Sequence, residues 1–311
     1  VTVTLFAGVL PWGLLLLAAS CVSMVLGAVL AVFSTDLKRT FACSSVSQIG
    51  FVLTGVALLC LLGPEHNALA GQGVVLHILN HATIKLILFP CAGIIHLKAH
   101  SYAFDEIRGY GRGKPRMAVT MGLAMFSLAG VPGLSGYISK TLLHESIVEY
   151  IHLLEHEGLS ATAFQAVEWL FLISGGLTAA YMTKLFVAIF VSPRASGQHL
   201  GLREYMSRET SVALGLGAAA LLGMGLTPGF TMEPLAERAG TFLMADHGHA
   251  VHYFTWVNLK GACISLAIGA AVYLLVIWRL LMRRAGSEME YLDRWPVWLD
   301  LENLVYRPAL R

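Results

Sequence analysis

Seven apolar stretches, roughly residues 10–34, 41–63, 70–97, 117–151, 163–193, 210–228 and 252–282, run through this sequence. A helix needs about 20 residues to cross a hydrocarbon core of about 30 Å, and each stretch is close to that length or beyond it. With 56% hydrophobic and only 13% charged residues in 311, the chain lacks the polar surface that two soluble domains would require. Peptide groups in lipid must be paired within the protein, and a helix does this inside each segment. The expected fold class is therefore all-α, a polytopic transmembrane bundle of about seven spans in the cell membrane, surrounded by the lipid bilayer.

The cations give that bundle an orientation. Sixteen Lys and Arg fall in alternate loops on one side (Lys38, Arg39, Lys98, Arg108, Arg112, Lys114, Arg116, Arg194, Arg203, Arg208, Arg279, Arg283, Arg284, Arg294, Arg307 and Arg311), and the opposite side has only Arg238. By the positive-inside rule the N-terminus lies outside and the C-terminus is cytoplasmic. The net charge of +2 leaves no basic footprint for nucleic acid, which is excluded as a partner. The five cysteines, Cys21, Cys43, Cys60, Cys91 and Cys263, stand singly in apolar runs with no CxxC pair. Without GxGxxG or GxxxxGK[ST] signatures there is no seat for a nucleotide, so no cofactor is expected and any redox chemistry belongs to another chain. The chain begins with Val1, and its short, uncharged start is not a signal peptide; a fragment or processed piece is expected.

Four lysines, Lys85, Lys140, Lys184 and Lys260, are left inside the spans, where ionisable groups are costly and point to function by default. His77, His81 and Lys85 stand at i, i+4 and i+8 in HILNHATIK and so share one helical face, with Lys85 near mid-membrane. Against a proton-relay reading stand a core histidine pair beside an unrelated lysine, and a haem or metal site that needs ligands from elsewhere. The stretch 117–151 would be about 50 Å long as one helix, and Val131-Pro132-Gly133-Leu134-Ser135-Gly136 supplies the break expected to interrupt it. Lys140 follows in the first turn after the break, exposed to the opposing ends of two half-helices; the alternative is a lysine snorkelling to the outer interface. His144 and Glu145 come next on the same half-helix, as acceptors of a proton from Lys140 or as groups facing outside water. Lys184 reads as a snorkelling anchor, Lys260 and Glu168 as structural, and His247, His249 and His252 as an outer-loop cluster more than a metal site.

TDLKRTFACSSVSQIGF (35–51), HILNHATIK (77–85) and LAGVPGLSGYISK (128–140), in that order and spacing, resemble the proton-conducting antiporter-like subunits of respiratory complex I, Mrp-type Na⁺/H⁺ antiporters and membrane-bound energy-converting hydrogenases. The resemblance runs from about residue 10 to 230, and the tail YLDRWPVWLDLENLVYRP is similar to the extension of the large complex I subunit 5 type. It implies that His77, His81 and Lys85 match the family's central relay and that Lys140 matches the terminal lysine of its discontinuous helix. The family has about fourteen core helices in two inverted repeats. This chain matches the second repeat, and the first, with its Glu–Lys pair, is absent, as in a fragment or a split subunit. Thr141 stands where the family commonly has a bulky, often acidic residue.

The function expected is translocation of H⁺, with Na⁺ as alternative cargo, by a non-redox subunit of a multi-subunit oxidoreductase complex of NADH-quinone oxidoreductase or hydrogenase type. An Mrp-type antiporter subunit, or a structural or haem-binding membrane subunit, is the alternative. Residues 1–230 are expected to form the second repeat, as a five-helix unit plus one further span. Residues 231–311 then comprise an outer loop, the final span and a cytoplasmic amphipathic tail. In that tail Trp295, Trp298, Leu301 and Val305 recur near one helical face, which places 295–306 along the inner interface.

Overall fold

A computed structural model describes residues 6, 8–63, 66–194, 205–242, 251–285, 288–296, 300 and 308. Helix α1 (Leu10–Phe33) starts with Pro11 in its first turn, where a missing N–H costs nothing. Helix α2 (Leu37–Leu61) is capped by Asp36, whose carboxylate accepts from Arg39 N at 2.7 Å. Helix α3 (Ala68–Ala99) ends on His100 in the left-handed region, φ 54°. Then follow α4 (Pro115–Ala129), α5 (Ser135–His156), α6 (Thr162–Phe186), which runs on through a π turn to Val191, and α7 (Arg208–Leu226). The last long helix, α8 (Trp256–Val272), continues through a π segment to Leu281.

Six of these helices are long and apolar enough to cross a membrane, and the expected fourth span is the exception: it is split into α4 and α5. Large side chains such as Leu15, Val22, Leu86, Leu97 and Trp169 are exposed over areas that a water-soluble surface would not tolerate. The chain is a multi-pass membrane protein of the all-α class.

Of the three apolar clusters that hold the described bundle, two form its main layers. One joins Phe41, Ile84, Met121 and Leu185, the other Met24, Phe51, Val74, Leu143 and Phe171. Along α2, α3 and α6 the residues between the layers are polar and buried: Ser44 and Gln48, His77 and Asn80, Ser174 and Thr178. Such a band within apolar helices is stable only if its members pair with one another.

At the cation-rich end, Leu37 N donates to Tyr102 O at 2.9 Å and Phe104 N to Thr35 O at 3.0 Å, which ties two loops together. A short antiparallel hairpin, Met282–Ala285 with Glu288–Tyr291, follows the last helix. Tyr291 N donates to Asp105 Oδ1 at 3.0 Å, and the Trp295 ring meets Phe33 edge-on at 5.4 Å. The helix expected over 295–306 falls mostly outside the described residues, as do His247 and His249 of the outer-loop cluster.

Candidate functional site

The break between α4 and α5 is where backbone and lysine meet. Helix α4 stops at Gly130, whose φ of 82° is a conformation that favours glycine; Val131 N closes the end on Phe126 O at 3.1 Å. After Pro132 and Gly133 the chain re-enters a helix at Ser135. Gly136 then passes so close to α4 that a Cβ there would lie 1.9 Å from Ser127 O. Its amide donates to Ser127 Oγ at 3.1 Å. Lys140 Nζ takes up the Leu128 carbonyl, freed in the last turn of α4, and Asn80 Nδ2 donates to Ser135 O at the start of α5, both at 2.8 Å. Lys140 is buried and lies 4.9 Å from the face of Phe51. The sequence reading expected both the interruption and a lysine at the carbonyl end of the first half-helix.

Beyond Lys140 is a cavity of about 40 Å³ lined by Tyr137, Lys140, Thr141 and His144, with Asn258 and Ser265 contributed by α8. That is room for water beside a few polar groups in a wall otherwise made largely by Ala129, Phe171, Leu172 and Ala262. At its edge His144 Nε2 meets Glu168 Oε1 at 3.1 Å, and His144 Nδ1 lies 3.7 Å from Glu145 Oε1. The structure thus gathers Lys140, His144 and Glu145 on one helix. Glu168, which the sequence reads as structural, is brought opposite His144 from α6, so that the imidazole lies between two carboxylates.

The stripe on α3 is resolved into separate environments. His77 is buried, with Nδ1 3.0 Å from Ser139 Oγ and Nε2 3.2 Å from Gln48 Oε1. Lys85 is buried, and its Nζ donates to Phe41 O at 2.8 Å and Ser44 Oγ at 2.6 Å between the rings of Phe41 and Phe89. His81 is partly buried, and its Nε2 is sealed without a hydrogen-bond partner. Position on one helical face did not predict mutual contact: His77 reaches α2 and α5, whereas Lys85 reaches the first turns of α2.

Lys184 corrects an expectation. It is 2% exposed and does not snorkel; its ammonium donates to Ala31 O at 3.2 Å, Val32 O at 2.7 Å and Ser34 O at 2.6 Å, the carbonyl end of α1. A helix C-terminus leaves such carbonyls unpaired and favours a cation beside them. Uncharged members of the network, Gln48, Asn80, Ser139, Thr178 and Tyr181, were also missed. The available signal was two lone amides, Gln48 and Asn80, inside apolar helices, where an unpaired amide is costly.

Residues 2–163 match the sequence family described as NADH:quinone oxidoreductase/Mrp antiporter, transmembrane. The chain belongs to this family. Among its relatives, the NAD(P)H-quinone oxidoreductase chain 4 1 of Picosynechococcus sp. is 33% identical over 220 residues, covering 69% of this chain and 38% of the relative. Hydrogenase-4 component B of Escherichia coli is 28% identical over 190 residues, 60% of this chain and 28% of the relative. In three dimensions the Mrp complex from Dietzia sp. DQ12-45-1b is similar with a TM-score of 0.68 and 26% identity, over 85% of this chain and 27% of that one. This member of the NADH:quinone oxidoreductase/Mrp antiporter family spans between 28% and 46% of the length of its curated relatives. The family match ends before Glu168, Thr178, Tyr181, Lys184 and the whole of α8.

Proposed function

We propose that this chain is a proton-translocating subunit of a multi-subunit membrane complex, in which Lys85 and Lys140 exchange protons through the buried polar band, with Na⁺ as the alternative cargo. Electron transfer in such a complex would reside on other subunits of NADH-quinone oxidoreductase or hydrogenase type. The observation that carries the reading is Lys140: one side of its ammonium is held by Leu128 O, and the other opens on a cavity leading to His144 and Glu168. Like charges in a low-dielectric interior interact strongly, so loading one lysine promotes release from the other. A proton leaving Lys140 has cavity water, then the His144 imidazole flanked by Glu145 and Glu168, as successive acceptors. In this reading the cation-rich end is cytoplasmic, residues 1–230 are the second of two antiporter-like repeats, and α8, which lines the cavity beside Lys140, is an addition that walls the exit.

Lys85→Ala and Lys140→Ala in the assembled complex, with assembly verified, are expected to cut proton pumping by about a hundredfold or more, the scale of a lost acid–base group. Normal pumping in both variants would sink the proposal. An Mrp-type antiporter subunit is the second reading, favoured by the fold likeness to the Dietzia complex; pumping driven by a sodium gradient and not by an electron donor would select it. A haem role is disfavoured at His77, both of whose ring nitrogens face side-chain partners, and a Soret band lost in His77→Gln or His81→Gln would restore it.

A further inference from the structure

Two backbone carbonyls anchor the side-chain network around His77. On the α5 side Asn80 Nδ2 donates to Ser135 O at 2.8 Å and to Ser139 Oγ at 3.0 Å. On the α6 side the Thr178 hydroxyl donates to Ser174 O at 2.9 Å, and its oxygen faces Gln48 Nε2 at 3.5 Å and the Tyr181 hydroxyl at 3.4 Å. A carbonyl only accepts, so both ends fix the direction of the bonds between them.

From the α5 side, Ser135 O orients Asn80 so that its amide hydrogens meet Ser139. Ser139 is then an acceptor toward Asn80, and its own hydrogen points to His77 Nδ1 at 3.0 Å, a shorter contact than the alternative, Gly136 O at 3.3 Å. From the α6 side, Thr178 has spent its hydrogen on Ser174 O, a local back-bond common for threonine in a helix. With that hydrogen spent, Thr178 favours the orientation in which Gln48 turns its NH₂ to Thr178 and its oxygen to His77, 3.2 Å away. An amide oxygen accepts, so His77 Nε2 carries a hydrogen. In a neutral imidazole the other nitrogen is then bare.

We propose that Gln48 and Thr178 lock His77 in its Nε2–H tautomer, so that it exchanges protons only at Nδ1, through Ser139, on the side of the broken helix. A proton arriving on Ser139 Oγ sends the hydroxyl hydrogen to Nδ1; deprotonation runs the same exchange backwards, and the Nε2–H bond is never broken. Gln48 and Thr178 are positioning residues, since neither touches the exchanged proton. The titratable groups nearest His77 are Lys140 from α5 and His81 from its own helix; α2 presents the neutral Gln48, and α6 the neutral Thr178 with Tyr181 behind it. This inference rests on the relay reading and sharpens it, because it assigns His77 one working nitrogen.

The test compares Thr178→Val with Thr178→Ser in the assembled complex. Valine keeps the shape and removes the acceptor, whereas serine keeps the hydroxyl and removes a methyl, so a packing role and a hydrogen-bonding role predict opposite rankings. The lock predicts that Thr178→Val pumps about tenfold more slowly and that Thr178→Ser stays near the wild type. Nitrogen NMR of histidine-labelled complex, with the His77 signal assigned by its loss in His77→Gln, should show the Nε2–H tautomer in the wild type and a mixture in Thr178→Val. An Nδ1–H tautomer in the wild type, or pumping in Thr178→Val at least equal to Thr178→Ser, would overturn the lock. If Lys85→Ala and Lys140→Ala stop pumping while Thr178→Val does not slow it, only the lock fails; if the lysine variants pump normally, the relay itself fails.

Discussion

Lys140 and Lys184 are both buried lysines, and each donates to carbonyls at the end of a helix, yet their surroundings differ in one decisive respect. Lys184 gives its ammonium to three carbonyls, Ala31 O, Val32 O and Ser34 O, and packs over the Phe104 ring at 5.1 Å. All three of its donors are used, as in a helix cap. Lys140 has one carbonyl, Leu128 O, the Phe51 face, and a cavity. The comparison teaches that burial alone does not make a lysine a proton carrier; what matters is an unfilled direction from which a proton can leave. In the proposed relay Lys140 is accordingly the working group at the exit, and Lys184 a fastening.

The comparison breaks first at the helix interruption that gives Lys140 its environment. Gly136→Ala places a methyl against Ser127 O, where a Cβ would lie 1.9 Å away, and overpacking of this kind costs about 1–3 kcal/mol or more. The variant is expected to assemble poorly and to have lost pumping in what remains; normal heat stability and pumping would show that α4 and α5 need no such close approach. Next in size, Lys184→Met leaves the end of α1 without its donor. Buried carbonyls left unpaired cost about 1–3 kcal/mol each, so the thermal midpoint of the complex should fall while pumping per assembled complex stays normal.

A smaller effect sharpens the Lys140 side. Glu168→Gln keeps the shape beside His144 but removes the charge that pairs with it at 3.1 Å, and pumping should slow by up to about tenfold; an unchanged rate would take Glu168 out of the exit. The smallest effect concerns Lys114, in the loop before α4, whose Nζ sits 3.5 Å from the Tyr110 ring centre. Burial, with Arg194 as a lesser cause, pushes its pKa down to about 8. Because the folded value lies below the unfolded one, the unfolded chain binds more protons between about pH 8 and 10.5, and stability from this group rises with pH in that window. Thermal midpoints of the wild type should gain slightly on Lys114→Met from pH 8 to 10, and parallel curves would contradict the assignment.

Much of this was legible in the sequence because its signals are strong and local. Apolar length marked the spans, Pro132 with its flanking glycines marked the break, and isolated charges marked Lys85, Lys140 and the histidines. What was not legible depends on which helices become neighbours. The sequence around Lys184 reads the same for a snorkelling lysine and for one that caps α1, about 150 residues earlier in the chain. That Glu168 meets His144 depends on α6 packing beside α5, which no local signal reveals. Gln48, Thr178 and Ser139 carry no charge to draw attention, and their importance lies in bond directions that follow from the packed arrangement of four helices.

The most direct test of the central claim is proton translocation per assembled complex in Lys140→Met and Lys184→Met measured side by side, with assembly quantified for each. The account predicts that Lys140→Met assembles and does not pump, and that Lys184→Met assembles less but pumps at the normal rate per complex. Normal pumping in Lys140→Met, or loss of pumping in fully assembled Lys184→Met, would contradict it.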